Sequence, residues 1–160
     1  MGIDFNICEI FDIAKELEKN RAVFFRSAAK KFGDKKISDT LLELADGEQR
    51  NADNFAHIKE GFSQAECPLT VFDPDNADYL YLKAMAQDHV CSPGSCKVLN
   101  GTESLREVFQ MAIGMEKEAV VFYTGLKNFV TEGSQKNVDF IIKEMMTHIA
   151  ALNKKLSGLK

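Results

Sequence analysis

The sequence predicts an all-α protein, a four-helix bundle with one long crossover connection that carries a short extra helix. Three observations predict it. Four long segments repeat apolar residues at three- and four-residue spacing, the signature of one helix face. Short loops join the first two segments and the last two, which makes each pair antiparallel neighbours, while a long link separates the pairs. No segment carries the alternating pattern of a strand.

The first helix is expected over about residues 6 to 32, with Phe11, Ala14, Leu17, Phe24, Phe25, Ala28 and Phe32 on its apolar face. Asn6, with Glu9 three residues on, is placed to cap it, and Gly33-Asp34 breaks it. The second runs from about Ser38 to Lys59 on Leu41, Leu44, Ala45, Ala52 and Phe55, and Gly61 stops it. The third begins near Thr102 or Ser104, where Ser104 and Glu107 fit a capping box, and it ends before Gly133. Its stripe is Leu105, Phe109, Ala112, Ile113, Val120 and Tyr123. The fourth runs from about Ser134 to Leu156, with Val138, Ile141, Ile142, Met145, Ile149 and Leu152 inward. Within the link, Asp75 to His89 reads as the short extra helix, and Pro68, Pro74, Pro93 and Gly94 mark loop around it. One domain of residues 1–160 follows: a helical hairpin at about 6–60, a crossover at about 62–102, and a second hairpin at about 103–156. The hairpins resemble each other. Glu18 precedes Phe24-Phe25 at the same spacing as Glu116 precedes Phe122-Tyr123, which suggests two copies of one unit.

A 160-residue chain that is 45% hydrophobic can bury a real core. A net charge of −4 forces no basic face, so nucleic acid is not an expected partner. No apolar run approaches the roughly 20 residues of a membrane helix. The opening MGIDFNICEIFDIAKELEK lacks the basic region and small-residue cleavage site of a signal peptide, which makes the cytoplasm the expected compartment. Its four cysteines, Cys8, Cys67, Cys91 and Cys96, are then expected reduced, with Cys8 a small core residue.

Four polar residues stand on the wrong face. Glu18 lies among Phe11, Ala14, Ala22 and Phe25, and Glu48 among Leu41, Leu44, Ala45, Ala52 and Phe55. Glu116 lies among Phe109, Ala112, Ile113, Val120 and Tyr123, and His148 among Ile141, Met145, Ala151 and Leu152. Taken singly, each is an ordinary boundary residue or ion-pair partner, and Arg21 or Arg26 could serve Glu18. Together they send one acidic or imidazole group inward from every helix. An isolated buried carboxylate costs several kcal/mol or takes up a proton, and three facing one another also repel. A bound cation resolves both problems, and carboxylate with imidazole suits iron or manganese, and also zinc.

In these residues the chain resembles the rubrerythrin and ferritin-like di-iron carboxylate family. The resemblance covers nearly the whole chain, most clearly residues 10–60 and 76–156, through ELEKNRAVFF, LLELADGEQRNA, ADYLYLKAMAQDHV, LREVFQMAIGMEKEAVVFY and FIIKEMMTHIAAL. It implies a ferritin-like bundle with a Glu on the first and third helices and Glu-x-x-His on the second and fourth. By position, Glu18 and Glu116 match the lone glutamates. Glu48 matches the first Glu-x-x-His, whose His is replaced by Asn51. His148 matches the second, whose Glu is replaced by Met145. Four of six ligands remain, and a bridging carboxylate and a terminal imidazole are lost. Glu48, Glu116 and His148 resemble one half-site, with Glu18 across from it and Asn51 a weak further oxygen. Glu144, four residues before His148, would replace the lost bridge if a π-bulge or small rotation turned it inward. The other reading is a solvated Glu144 and a core Met145.

The resemblance implies iron, one or two ions, and reduction of peroxide or oxygen with electrons from an external rubredoxin-type donor. No rubredoxin-like pair of Cys-x-x-Cys motifs is present. It also implies a homodimer. The losses at Asn51 and Met145 favour a different function, a degenerate bundle that binds one metal or none and serves as a metal-binding or interaction module. Iron storage ranks behind both. Cys91 and Cys96, with four residues between them that include Pro93-Gly94, could close a small disulfide, hold half a zinc site with Cys67 and His89, or be ordinary loop cysteines. His57 is expected to face away from the Glu48 site. No phosphate loop and no nucleophile–base pair is present, and no catalytic residue is assigned.

Overall fold

The structure is a computed structural model that describes residues 7–62, 80–81, 84, 99–130 and 132–159. Four long helices account for most of them: α1 (Ile7–Ala29), α2 (Lys35–Glu60), α3 (Leu105–Leu126) and α4 (Glu132–Ser157). A 3-10 turn, Lys127–Phe129, closes α3. No strand occurs among the described residues.

Capping sets the boundaries. The second helix starts three residues before its expected Ser38, because Asp34 accepts hydrogen bonds from the Lys36 N–H (2.8 Å) and the Ile37 N–H (3.3 Å). Ser104, not Thr102, caps α3. Its Oγ accepts from the Glu107 N–H at 3.2 Å, while the Glu107 carboxylate accepts from the Ser104 N–H at 2.7 Å. The expected cap at Asn6 lies outside the described residues. So does most of the expected helix at 75–89, of which Leu80, Tyr81 and Ala84 are helical. Tyr81 donates a hydrogen bond to the Val121 carbonyl at 3.0 Å, tying this segment to α3.

Two apolar clusters form the core. One gathers the first half of α1 (Cys8, Phe11, Ala14, Leu17) with the last turns of α2 (Phe55, Ile58), the last half of α3 (Ala119 to Leu126) and the first half of α4 (Val138, Ile141, Met145). The other joins the end of α1, the start of α2, the start of α3 and Leu152 near the end of α4. Starts pack against ends in both hairpins, which is the antiparallel pairing expected of short loops. The inward stripes are those of the sequence, although Phe24, Phe32, Leu105, Val120, Ile142 and Ile149 are only half-buried. Glu18, Arg21, Glu48, Asn51 and Glu116 are buried yet belong to neither cluster. They form a polar layer between the two.

Cys8 corrects one expectation. It packs in the core at 6% exposure, as expected, but it is disulfide-bonded rather than reduced. The expectation rested on compartment alone, and pairing depends on which thiols the fold brings within reach. Cys67, Cys91, Cys96 and His89, and with them the weak zinc candidate, lie outside the described residues. No helix among the described residues is long and apolar enough to cross a membrane.

Candidate metal centre

Helix register carries the polar layer inward. Glu18, Glu48 and Asn51 are fully buried, and Glu116 is 1% exposed. Glu48 and Asn51, three apart on α2, share a face. His148, from α4, is partly buried, with Nδ1 at 3.1 Å from Glu116 Oε1 on α3.

Glu18 is held by two donors. The Tyr123 hydroxyl, from α3, donates to Glu18 Oε1. The Arg21 guanidinium, one turn along α1, donates to the same oxygen from Nη1 at 3.3 Å. Arg26, the other cation placed to serve Glu18, instead pairs with Asp46 at 3.2 Å near the surface. A guanidinium inside the bundle is expensive unless anions surround it. Burial pulls Arg21 toward losing its proton, but its electrostatic interactions, with Glu18 above all and then with Glu48, Tyr123 and Glu116, outweigh this and hold it firmly cationic.

The remaining oxygens are orphaned. Glu18 Oε2, both oxygens of Glu48, Glu116 Oε2 and both polar atoms of Asn51 are buried with no hydrogen-bond partner among the described residues. Each such group costs about 1–3 kcal/mol, more when charged. Burial raises the Glu48 carboxyl well above its ordinary value, and the charge of Glu18, a hydrogen bond with Glu18 and the charge of Glu116 raise it further, against Arg21. Burial and the neighbouring carboxylates thus favour the protonated form of Glu48 over the ionised one. Burial and Glu18 likewise push the Tyr123 hydroxyl well above its ordinary value, so it stays a donor.

On the opposite side, the hydrogen bond to Glu116 raises His148 above the ordinary imidazole value. Burial opposes it, while the charges of Glu116 and Glu144 add and Arg50 subtracts. The ring lies over Gly47 of α2, where a Cβ would come within 2.8 Å of His148 Cε1. A glycine in mid-helix costs about 1 kcal/mol against alanine, and the imidazole is the reason for it here. His148 also borders a 180 Å³ groove with Thr40, Glu43, Arg50 and Lys155, which opens this side of the layer outward.

No protein-family model matches the chain, and no curated protein does. A solved structure from Thermotoga maritima, described as a ferritin-like diiron-carboxylate protein, is similar with a TM-score of 0.69 and 23% identity, over 97% of each chain. The fold is ferritin-like. In ferritin-like di-iron proteins two lone glutamates and two Glu-x-x-His motifs hold the pair of ions. The residues here do not fit two ions. Met145, which the sequence resemblance sets at the position of one Glu, is fully buried in the core. Glu144 does not replace it. Its carboxylate pairs with Arg50 at 3.0 Å at the bundle edge, because α4 continues without a π-bulge and keeps Met145 on the inward face. Asn51, which the resemblance sets at the position of one imidazole, is fully buried. Among the described residues, no three His, Cys, Asp or Glu side chains are already gathered as metal ligands. Glu116 and His148 bond each other and Glu18 bonds Arg21, so these candidate ligands have internal partners. Unpartnered oxygens among the described residues remain on Glu18, Glu48, Asn51 and Glu116.

His57 faces away from this layer, as expected, with its side chain 82% exposed. Sequence reasoning placed Tyr123 in the apolar stripe and missed it as a partner of Glu18. It missed Gly47 altogether, although a glycine in mid-helix one residue before Glu48 is the available signal.

Proposed function

We propose that the chain is a ferritin-like metal-binding protein whose centre takes one divalent transition-metal ion through Glu48, Glu116 and His148, with Glu18 facing it. The observation that carries this reading is the set of orphaned buried oxygens on Glu18, Glu48, Asn51 and Glu116 beside an imidazole. Carboxylate and imidazole suit iron(II), with manganese(II) and zinc(II) as neighbours in preference. Bound iron would supply one-electron redox chemistry. The protein's part is to turn Glu116 and His148 from each other toward the ion and to release the protons held on Glu48 and His148. Peroxide or oxygen reduction with an external donor, which the family resemblance implies, calls for a carboxylate-bridged pair, and Met145 in the bridging position weighs against it.

The test is metal content per chain on anaerobically purified protein, with Glu116→Ala as control. About one ion, lost in the variant, supports the reading. Two ions would replace it with a di-metal centre. None after loading with iron(II) or zinc(II) would leave an interaction scaffold.

A further inference from the structure

We propose that the Arg21 guanidinium stands in for a metal ion in the Glu18 half of the centre, so that the chain excludes a second divalent cation. The count of one ion in the other half rests on the function proposed above; the role of Arg21 does not.

The internal repeat shows where the centre has lost its symmetry. Glu18 of the first hairpin corresponds to Glu116 of the second, and the residue three positions on is Arg21 in the first and Ala119 in the second. Ala119 is buried at 1% exposure and brings only a methyl group. Its counterpart brings a full positive charge into the layer, at 3.3 Å from Glu18, with the arginine side chain 9% exposed and the glutamate fully buried. The same half carries Asn51 where the other carries His148. The Glu18 half thus has a built-in cation and lacks the imidazole, while the Glu116 half has the imidazole and lacks the cation.

Charge balance points the same way. With Glu48 ionised and His148 neutral, as ligation requires, the three carboxylates Glu18, Glu48 and Glu116 less the Arg21 guanidinium leave two negative charges in the layer. One divalent ion cancels them. A second would leave two positive charges buried, a state that desolvation makes very costly. Arg21 also repels any ion placed between Glu18 and Glu48, and a nearby unit charge in a partly desolvated site changes binding by orders of magnitude.

The experiment is manganese(II) binding to the metal-free full chain, read as stoichiometry and affinity by equilibrium dialysis, for the wild type, Arg21→Ala, Arg21→Gln and Arg21→Lys. Far-UV circular dichroism checks that each variant folds. Arg21→Ala copies the Ala119 half; Arg21→Gln fills more of the space with a neutral amide, should the alanine variant fail to fold. Either neutral variant is expected to bind manganese at least tenfold more tightly than the wild type, or to take one ion more. Arg21→Lys keeps the charge and should bind as the wild type does. A wild type that takes two ions overturns the proposal, whatever the variants do. So do neutral variants that bind like the wild type. A wild type that binds none, with a neutral variant that binds one, supports the role of Arg21 and removes only the one-ion reading of the native protein.

Discussion

Tyr123 of α3 donates its phenolic hydrogen to Oε1 of Glu18 on α1, across the bundle. The other half of the chain has no counterpart to this bond. Seven residues beyond Glu116 stands Tyr123, and seven beyond Glu18 stands Phe25, which has no hydroxyl to offer Glu116. His148 fills that role instead.

The Tyr123 bond is fully buried and its acceptor is a carboxylate, the strong class of hydrogen bond. Tyr123→Phe is expected to destabilise the metal-free protein by about 2 kcal/mol in urea unfolding, since the ring packing is kept and one oxygen of Glu18 loses a donor. A change below about 0.5 kcal/mol would show that the hydroxyl contributes nothing to holding Glu18.

Asn51 has both side-chain polar atoms buried with no hydrogen-bond partner among the described residues. Asn51→Leu replaces an unsatisfied amide with an apolar group of similar shape. The metal-free variant should gain about 1–3 kcal/mol. Calorimetry on wild type and variant decides it: a lower melting temperature in the leucine variant would mean that the amide has partners in solution.

Two glycines give opposite predictions. A Cβ on Gly114 of α3 meets nothing within 4 Å, so Gly114→Ala should stabilise by about 0.5–1 kcal/mol through helix propensity. A Cβ on Gly47 meets His148 Cε1 at 2.8 Å, so Gly47→Ala should cost about 1–3 kcal/mol through overpacking, despite the same propensity gain. It should also shift the His148 ring signals in an NMR spectrum. Equal stabilisation by both would refute the close approach.

The metal-free protein should lose stability as pH rises through neutrality. Glu48 and His148 both bind a proton more tightly folded than unfolded, Glu48 through burial and Glu18, His148 through its hydrogen bond to Glu116. Their contributions are complete below the ordinary values of 4.5 and 6.5 and are lost as pH rises through the raised ones. Each group that titrates this way adds a slope of about −1.4 kcal/mol per pH unit. Urea midpoints between about pH 6 and 8 should fall for the wild type, and Glu48→Gln should flatten the curve by removing one of the two protons. A rising curve, or an unchanged slope in the variant, would contradict the upward shift of Glu48.

Most of the fold was legible in the sequence because helix periodicity is local. The stripe of α2 is buried as expected, from Leu41 and Leu44 to Ala52 and Phe55, and the 3.6-residue turn that buries them also carries Glu48 inward. The same reasoning put Glu18 and Glu116 inside. Boundaries were less legible, since a cap competes with its neighbours: Asp34 drew the start of α2 back from Ser38. The Cys8 bond was not legible, because a sequence separation says nothing about which thiols meet. Glu144 illustrates the reverse case. The sequence offered it as a replacement ligand, and its pairing with Arg50 on another helix holds it at the edge.

By itself, then, the sequence determined that four helices form, how they pair into hairpins, and which carboxylates and imidazole face the interior. Each of these depends on spacings of three, four or seven residues along one chain segment. The tertiary structure alone decided how those inward groups are met: Tyr123 and Arg21 on Glu18, Glu116 on His148, a glycine slot for the imidazole, and burial beside Glu18 that favours the protonated form of Glu48. Those choices depend on distances of a few ångströms between side chains up to 105 positions apart, and in a water-poor interior such distances set the energy of every charge.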